Sequence, residues 1–280
     1  MGRLYVSDLD GTLLRPDASL SPYARAQLAR LLDDGLAFTV ASARSVVSMQ
    51  NILGDLPLRL PVVEMNGAFV SELATGRHLV AHAIAPDVLD PLYRLLRRRG
   101  HLPFLSTFDG HRDRLYYAAL ANEGMHWYRD DRRAAGDPRL REVDDLAACL
   151  AEHVVSLTLI ERLPAAQAMA DELAREFPGL LATNLFENTY LPGWYWLTIH
   201  DRRCTKDQAL ATLLQRLGGE RPHLVVFGDH WNDLGLFRIA DTAVAVANAA
   251  DELKAQADIV IGPHHDDSVV RYLLAHAARP

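Results

Sequence analysis

The fold is decided near the start of the chain, by the stretch Leu4-Tyr5-Val6-Ser7-Asp8-Leu9-Asp10-Gly11-Thr12. Its apolar beginning, Leu4–Val6, is typical of a buried strand, and Asp10-Gly11 is a common turn dipeptide. Two carboxylates, Asp8 and Asp10, therefore stand where a strand ends and the chain turns. This arrangement predicts a strand that delivers two acidic side chains to one edge of a sheet.

Strands and helices alternate after this turn. Ser21-Pro22 has the pattern of an N-cap followed by proline at the first helical position. Leu36–Ala41 is apolar on both faces, as a strand inside a parallel sheet is. A helix over Val46–Leu53 and a strand over Val62–Met65 follow. The βαβαβ order predicts an α/β fold with a doubly wound, Rossmann-like parallel sheet.

The alternation stops after Asn66 and resumes near Lys206. A hairpin is predicted over 68–81, and helices then mix with isolated strands up to about residue 201. We expect the stretch Arg112–Arg141, rich in Arg, Asp and Gly, to form loops and short elements. The C-terminal part returns to helix and strand and ends with a predicted helix over Val269–Ala278. We therefore expect one core domain, residues 1–82 and 202–280, with an α+β cap domain inserted at 83–201.

Composition limits the classes of partner. The 280-residue chain is long enough for two domains, and its 49% hydrophobic and 23% charged residues are typical of a globular protein. A net charge of −7 argues against a nucleic acid or an anionic membrane as the main partner. The two cysteines are far apart, and no run of about 18 apolar residues occurs. We expect a cytoplasmic protein that binds neither nucleic acid nor membrane.

Polar residues follow three of the predicted strands. They are Asp8-Leu9-Asp10, Ser42-Ala43-Arg44 and Gly228-Asp229. Ligands of doubly wound sheets bind outside the carboxyl ends of the strands, so these side chains should meet. Crowded carboxylates are stable only when protons or a cation neutralise them, and hard oxygen ligands suit Mg²⁺. The pattern therefore predicts a Mg²⁺ site.

Four motifs together resemble the haloacid dehalogenase-like superfamily of phosphohydrolases. These are D-x-D-G-T, a hydroxyl residue after the second strand, an isolated lysine and G-D-x-x-N-D, present here as Asp8–Thr12, Ser42, Lys206 and Gly228–Asp233. The long insertion resembles the large α/β (class IIB) cap of the Cof-like subfamily. Met65-Asn66-Gly67-Ala68 and Ala247-Asn248-Ala249 also match that subfamily.

The resemblance implies different roles for the acidic residues. Asp8 would be the nucleophile that forms an aspartyl-phosphate. Asp10 would protonate the leaving group and then activate the water that cleaves the phosphoenzyme. The family pattern gives Mg²⁺ to the carboxylates of Asp8 and Asp229 and to the backbone carbonyl of Asp10. Asp233 would orient Lys206 or a metal-bound water.

The resemblance also implies how the substrate is held. Ser42 would donate to a phosphate oxygen, and Lys206 would offset the charge between nucleophile and phosphoryl group. The backbone N–H groups of Leu9 and Asp10 would complete the cradle.

Two further side chains are expected to bind the substrate. Arg44 would bind its anionic end, and Asn232 would reach the substrate or the residues around the metal.

The predicted function is that of a Mg²⁺-dependent phosphatase whose partner is a small phosphorylated metabolite, with sugar phosphates as the leading class. Two alternatives stay open at this point. One is a sugar phosphomutase on the same scaffold, in which the aspartyl-phosphate returns its phosphoryl group to the sugar. The other is a phosphoaspartate signalling or binding module similar to receiver domains, against which Asp10 and the large insertion argue.

Overall fold

The computed structural model describes residues 2–188 and 190–277. The chain divides into two compact units, one formed by Met1–Val80 with Thr205–Pro280 and the other by Ala81–Cys204. No helix in the described part of the chain is long and apolar enough to cross a membrane.

Strands within the described residues are, in chain order, β1 (Arg3–Ser7), β2 (Phe38–Val40), β3 (Val62–Glu64), β4 (Phe69–Ser71), β5 (His78–Ala81), β6 (Phe104–Phe108), β7 (Asp113–Tyr117), β8 (Leu140–Glu142), β9 (His153–Glu161), β10 (Leu181–Glu187), β11 (Tyr195–Asp201), β12 (His223–Gly228), β13 (Thr242–Val246) and β14 (Ile259–Ile261). The α-helices are α1 (Pro22–Asp33), α2 (Val46–Leu53), α3 (Pro86–Arg98), α4 (Glu123–Ala134), α5 (Leu163–Glu176), α6 (Lys206–Leu217), α7 (Leu234–Ile239), α8 (Asp251–Lys254) and α9 (Ser268–His276).

The first unit is built on a parallel sheet with the strand order β14-β13-β12-β1-β2. The predicted α/β fold with a parallel sheet is thereby confirmed. Ser7 at the end of β1 pairs with Phe227 of β12 and with Val40 of β2, so these three strands end at the same level. The residues that follow them therefore lie along one edge of the sheet.

Helices of the first unit bury apolar stripes against this sheet. Leu28 of α1, Met49 of α2, Leu210 of α6 and Leu273 of α9 belong to one continuous core and are fully buried. The predicted start of α1 is confirmed, because the Ser21 hydroxyl accepts a hydrogen bond of 2.8 Å from the third residue of the helix. A small second sheet, β3-β4-β5, contains the predicted hairpin.

The second unit has its own sheet, with the strand order β10-β11-β9-β6-β7-β8. Its strands alternate in side-chain direction, so each face has its own apolar cluster. Leu105 and Leu197 lie in the cluster that includes residues of α3 and α5. Phe104 and Trp196 lie in the other, with Met125 of α4. This unit is therefore an α+β layer structure with a separate core.

The prediction of loops and short elements over Arg112–Arg141 was wrong, because this stretch contains β7 and the 12-residue helix α4. The side chain of Asn122 accepts a hydrogen bond of 2.9 Å from Met125 N–H and caps α4. Helix α4 has many charged residues and only a narrow apolar face. Its apolar periodicity is therefore weak in the sequence. Strand β6 was also missed. The predicted last helix begins one residue earlier, at Ser268, and its predicted end at Ala278 lies outside the described residues.

Candidate active site

The turn after β1 brings the first motif against the fourth. Asp10 (φ −72°, ψ 125°) and Gly11 (φ 77°, ψ −5°) have the dihedral angles of a type II turn, which requires glycine at its third position. A Cβ atom on Gly11 would also lie 2.3 Å from Oδ2 of Asp229. Thr12 donates a 2.8 Å hydrogen bond from its hydroxyl to Oδ1 of Asp229. Sequence reasoning assigned no separate role to Thr12, although it belongs to the D-x-D-G-T motif.

Lys206 is buried between two carboxylates. Its Nζ donates to Oδ1 of Asp8 over 2.5 Å and to Oδ1 of Asp233 over 2.6 Å. The second oxygen of Asp233 accepts the backbone N–H groups of Asp229 (3.1 Å) and His230 (3.2 Å). Both oxygens of Asp233 are thus engaged in holding the lysine and the fourth motif. Among the described residues, hydrogen bonds from other side chains reach one oxygen of Asp8, its Oδ1.

Negative charge exceeds positive charge in this cluster. Carboxylate oxygens of Asp8, Asp229 and Asp233 lie within 4.8 Å of one another, and Lys206 contributes one positive charge. Burial raises the pKa of Asp8 well above its ordinary value, with the neighbouring Asp233 and Asp229 adding to the rise and Lys206 opposing it. Burial, reinforced by Asp233, raises the pKa of Asp229 to about 7. Burial opposes the charge of Lys206, but Asp233 and Asp8 outweigh it and raise the pKa of this lysine.

The donor set fits a hard divalent cation. Three carboxylates around one lysine leave an excess of negative charge, and oxygen ligands suit Mg²⁺. Because both oxygens of Asp233 are taken by hydrogen bonds, Asp8 and Asp229 are the carboxylates placed to hold a metal. Burial, and after it the neighbouring carboxylates, raises the pKa of both groups, and a bound cation would favour their ionised forms.

Arg44 lies on Asp10. Its Nε and Nη2 donate to the two oxygens of the Asp10 carboxylate over 2.7 and 2.6 Å, and its Nη1 donates to Ser48 over 3.0 Å. Sequence reasoning expected this guanidinium to bind substrate. The structure places it in a two-pronged ion pair with the expected general acid, and its contact with substrate stays a prediction.

The remaining expected site residues lie around this cluster. Ser42 is buried, and its hydroxyl accepts the backbone N–H of Arg44 over 3.2 Å. Leu9 is fully buried in the core, and the expected role of its backbone N–H stays a prediction. Asn232 donates from Nδ2 to Oδ1 of Asn66 over 3.0 Å. Asn66 is a residue that sequence reasoning quoted in a motif without giving it a role.

Comparison with known proteins places this geometry in a family. A family of haloacid dehalogenase-like hydrolases matches residues 5–273. The chain is 26% identical to the pyridoxal phosphate phosphatase YbhA of Escherichia coli, with 98% of each chain covered. It is 25% identical to the 5-amino-6-(5-phospho-D-ribitylamino)uracil phosphatase YitU of Bacillus subtilis, with 96% of each chain covered.

Solved structures share the fold over the whole chain. A Thermotoga maritima protein, TM0651, is 26% identical and superposes with a TM-score of 0.79, covering 100% of this chain and 99% of its own. The haloacid dehalogenase subclass IIB sugar phosphatase BT4131 is 18% identical and superposes with a TM-score of 0.77, covering 99% of each chain.

The resemblance found in the four motifs is therefore confirmed across nearly the whole chain. The relatives are themselves named as phosphatases, which confirms the predicted class of enzyme, a phosphoric monoester hydrolase. The chain belongs to the haloacid dehalogenase-like hydrolase family, as a phosphatase of the Cof-like type.

Proposed function

We propose that this protein is a Mg²⁺-dependent phosphatase that hydrolyses a small phosphorylated metabolite through an aspartyl-phosphate on Asp8. The observation that carries the proposal is the buried cluster in which Lys206 binds Asp8 and Asp233 while Asp229 lies beside them. Such a cluster of charge is costly to bury, and a divalent cation would balance its excess negative charge and let an anionic phosphoryl group approach.

Asp8 is the proposed nucleophile. Lys206 binds its Oδ1, and no described residue donates a hydrogen bond to its Oδ2, which is therefore the oxygen expected to attack phosphorus. The new bond joins Oδ2 to phosphorus as the ester oxygen leaves, and the lysine ammonium lowers the repulsion between carboxylate and phosphoryl group. Held by Asp8, Asp229 and the backbone carbonyl of Asp10, Mg²⁺ would supply further positive charge against the phosphoryl oxygens.

Asp10 is the proposed proton donor and acceptor. It would give its proton to the leaving alkoxide and then take one from the water that attacks the aspartyl-phosphate, which releases phosphate and frees Asp8. The side chain of Asp10 is 45% exposed, in contrast to the buried Asp8. The ion pair with Arg44 would keep the ionised carboxyl turned away from the cation, and it would have to open on one side for Asp10 to carry the proton that it donates.

The proposed substrate is a small polar molecule that carries a primary phosphate ester, with sugar phosphates as the leading class. Pyridoxal phosphate and the phosphorylated ribitylaminouracil, which name two relatives, both carry phosphate on a CH₂–O group. We propose that the unit Ala81–Cys204, expected from the sequence as a cap over 83–201, sets the choice of substrate.

Two free, buried cysteines are consistent with a reaction in the reducing cytoplasm.

The test is a phosphate-release screen over primary phosphate monoesters, run with Mg²⁺ and with EDTA. We expect Mg²⁺-dependent release that falls by more than about 10³-fold in Asp8→Asn, because the nucleophile is lost. Asp241→Asn is the matched control, since this carboxylate pairs with Arg221 on the surface. Activity that persists in Asp8→Asn would contradict the mechanism. Phosphoryl transfer between two positions of a sugar without phosphate release would favour the phosphomutase.

A further inference from the structure

Three successive residues after β3 have left-handed backbone angles. The φ angles are 49° at Met65, 55° at Asn66 and 101° at Gly67. Glycine adopts this region freely and asparagine tolerates it, but methionine rarely does. We call Met65–Gly67 the left-handed corner. Because such strain persists only where the surroundings impose it, the contacts of the corner indicate what it holds in place.

On one side, the corner holds the loop that follows β2. The backbone N–H of Met65 donates to the carbonyl of Arg44 over 2.9 Å, and that of Asn66 donates to the carbonyl of Ser42 over 3.0 Å. Just before the corner, the carboxylate of Glu64 accepts the backbone N–H of Val46. Residues 64, 65 and 66 thus bind residues 46, 44 and 42 in turn, which fixes the backbone around Ser42.

On the other side, the corner contacts the third and fourth motifs. A Cβ atom on Gly67 would lie 2.4 Å from the carbonyl oxygen of Thr205, the residue before Lys206. The side chain of the buried Asn66 accepts a 3.0 Å hydrogen bond from Nδ2 of Asn232. One short corner therefore joins the segments that carry Ser42, Lys206 and Asn232.

We propose that Asn66 is a positioning residue, which fixes Ser42 through its backbone and Asn232 through its side chain. Asparagine suits both tasks, because it tolerates the left-handed conformation and offers an acceptor oxygen at that point. The role rests on the proposed function and on two expectations from the sequence, namely that Ser42 donates to a phosphate oxygen and that Asn232 reaches the substrate or the residues around the metal. Loss of the Asn66 side chain should therefore weaken substrate binding through Asn232.

The experiment is a double-mutant cycle read as KM and kcat. Asn66→Gly keeps the left-handed backbone and removes the acceptor, so KM should rise about five- to tenfold, with little change in kcat or in Tm. Asn232→Ala should raise KM to a similar extent. The double variant should show no further rise, since both substitutions break the same contact. Ala18→Gly, at another left-handed residue (φ 61°), is the control and should leave KM unchanged.

A second variant separates positioning from folding. Asn66→Asp keeps the shape of the side chain, its tolerance of the left-handed backbone and its acceptor oxygen. Asn232→Ala should therefore still raise KM when it is combined with Asn66→Asp. An unchanged KM in Asn66→Gly, or rises that multiply in the double variant, would overturn the positioning role. Asp8→Asn is measured in the same series. If the wild type releases no phosphate, the proposed function is refuted. If the wild type releases phosphate and Asn66→Gly has the same KM, only the role of Asn66 is refuted.

Discussion

Replacing Asp229 by asparagine should inactivate the protein and yet stabilise its metal-free form above neutral pH. Burial and the neighbouring Asp233 raise the pKa of Asp229 to about 7. Between its ordinary value of 3.8 and about 7, the folded state therefore binds more protons at this site than the unfolded state does. Folding stability then falls as the pH rises through that window, because the carboxyl has to ionise among other carboxylates. Asparagine removes this cost and can still accept the hydrogen bond from Thr12.

The expected gain in folding stability of Asp229→Asn is the ionisation cost that is removed minus the cost of burying the amide. A pKa of about 7 in place of 3.8 corresponds to about 4 kcal/mol of stability lost above pH 7. Burying the asparagine amide costs about 1–2 kcal/mol in return. A net gain of about 2–3 kcal/mol remains, which corresponds to a rise in Tm of about 5–10 °C for a domain of this size. Well below pH 4 the gain should turn into a loss of about 1–2 kcal/mol, because the wild-type carboxyl is then protonated in both states while the asparagine amide still has to be buried.

Thermal unfolding of the two proteins in EDTA at pH 4, 6 and 8.5 tests this expectation. With Mg²⁺ at pH 8.5 the order should reverse, because only the wild type keeps the full donor set and gains from binding the ion. Asp241→Asn is the control, with an expected effect on Tm of the opposite sign. Hydrogen bonds from Arg221 and from a backbone N–H lower the pKa of Asp241, so neutralising it should lower Tm at pH 8.5. A metal-free Asp229→Asn that melts below the wild type at pH 8.5 would refute the reasoning.

Two further substitutions test the cations of the site. Lys206→Met leaves the buried Asp8 and Asp233 without a counter-charge and should cost about 3–5 kcal/mol at pH 8. Thermal unfolding should show a smaller loss at pH 5 than at pH 8, because burial raises the pKa of Asp8 and favours its neutral form as the pH falls, and an equal loss at both pH values would contradict this account. Arg44→Gln removes the ion pair with Asp10 and should lower kcat by about 10–100-fold with KM nearly unchanged. Steady-state kinetics decide, because a raised KM with normal kcat would support the substrate-binding role expected from the sequence.

The proximity of Asp8 and Asp229 could be predicted from the sequence because it follows from where the apolar strands end. Each carboxylate follows an apolar run, and parallel strands present their carboxyl ends at one edge. The registers of β1 with β12 and β2 place these residues at one level. Charge repulsion then predicted a neutralising cation without any knowledge of side-chain conformations.

The contacts of Arg44 and Asn66 could not be predicted in this way. Arg44 has a long side chain that could reach either a substrate or Asp10, and only its rotamer decides between them. Asn66 acts through a left-handed backbone angle that no local periodicity encodes. Helix α4 was missed for a related reason: its core-facing side is narrow, and the charges of its exposed side outweigh that signal.

These findings indicate where the fold tolerates unfavourable interactions. Asp8 and Asp229 follow strands of the parallel sheet and the left-handed corner follows β3, while the parallel strands contribute mainly apolar residues to the buried core. Neither feature stabilises the protein in isolation, since one gathers like charges and the other constrains Met65 to an uncommon backbone angle. In the proposed function, both serve the binding of a cation and a phosphoryl group. Substitutions that relax the site should therefore separate the two properties, with Asp229→Asn raising metal-free stability in the same step that removes activity.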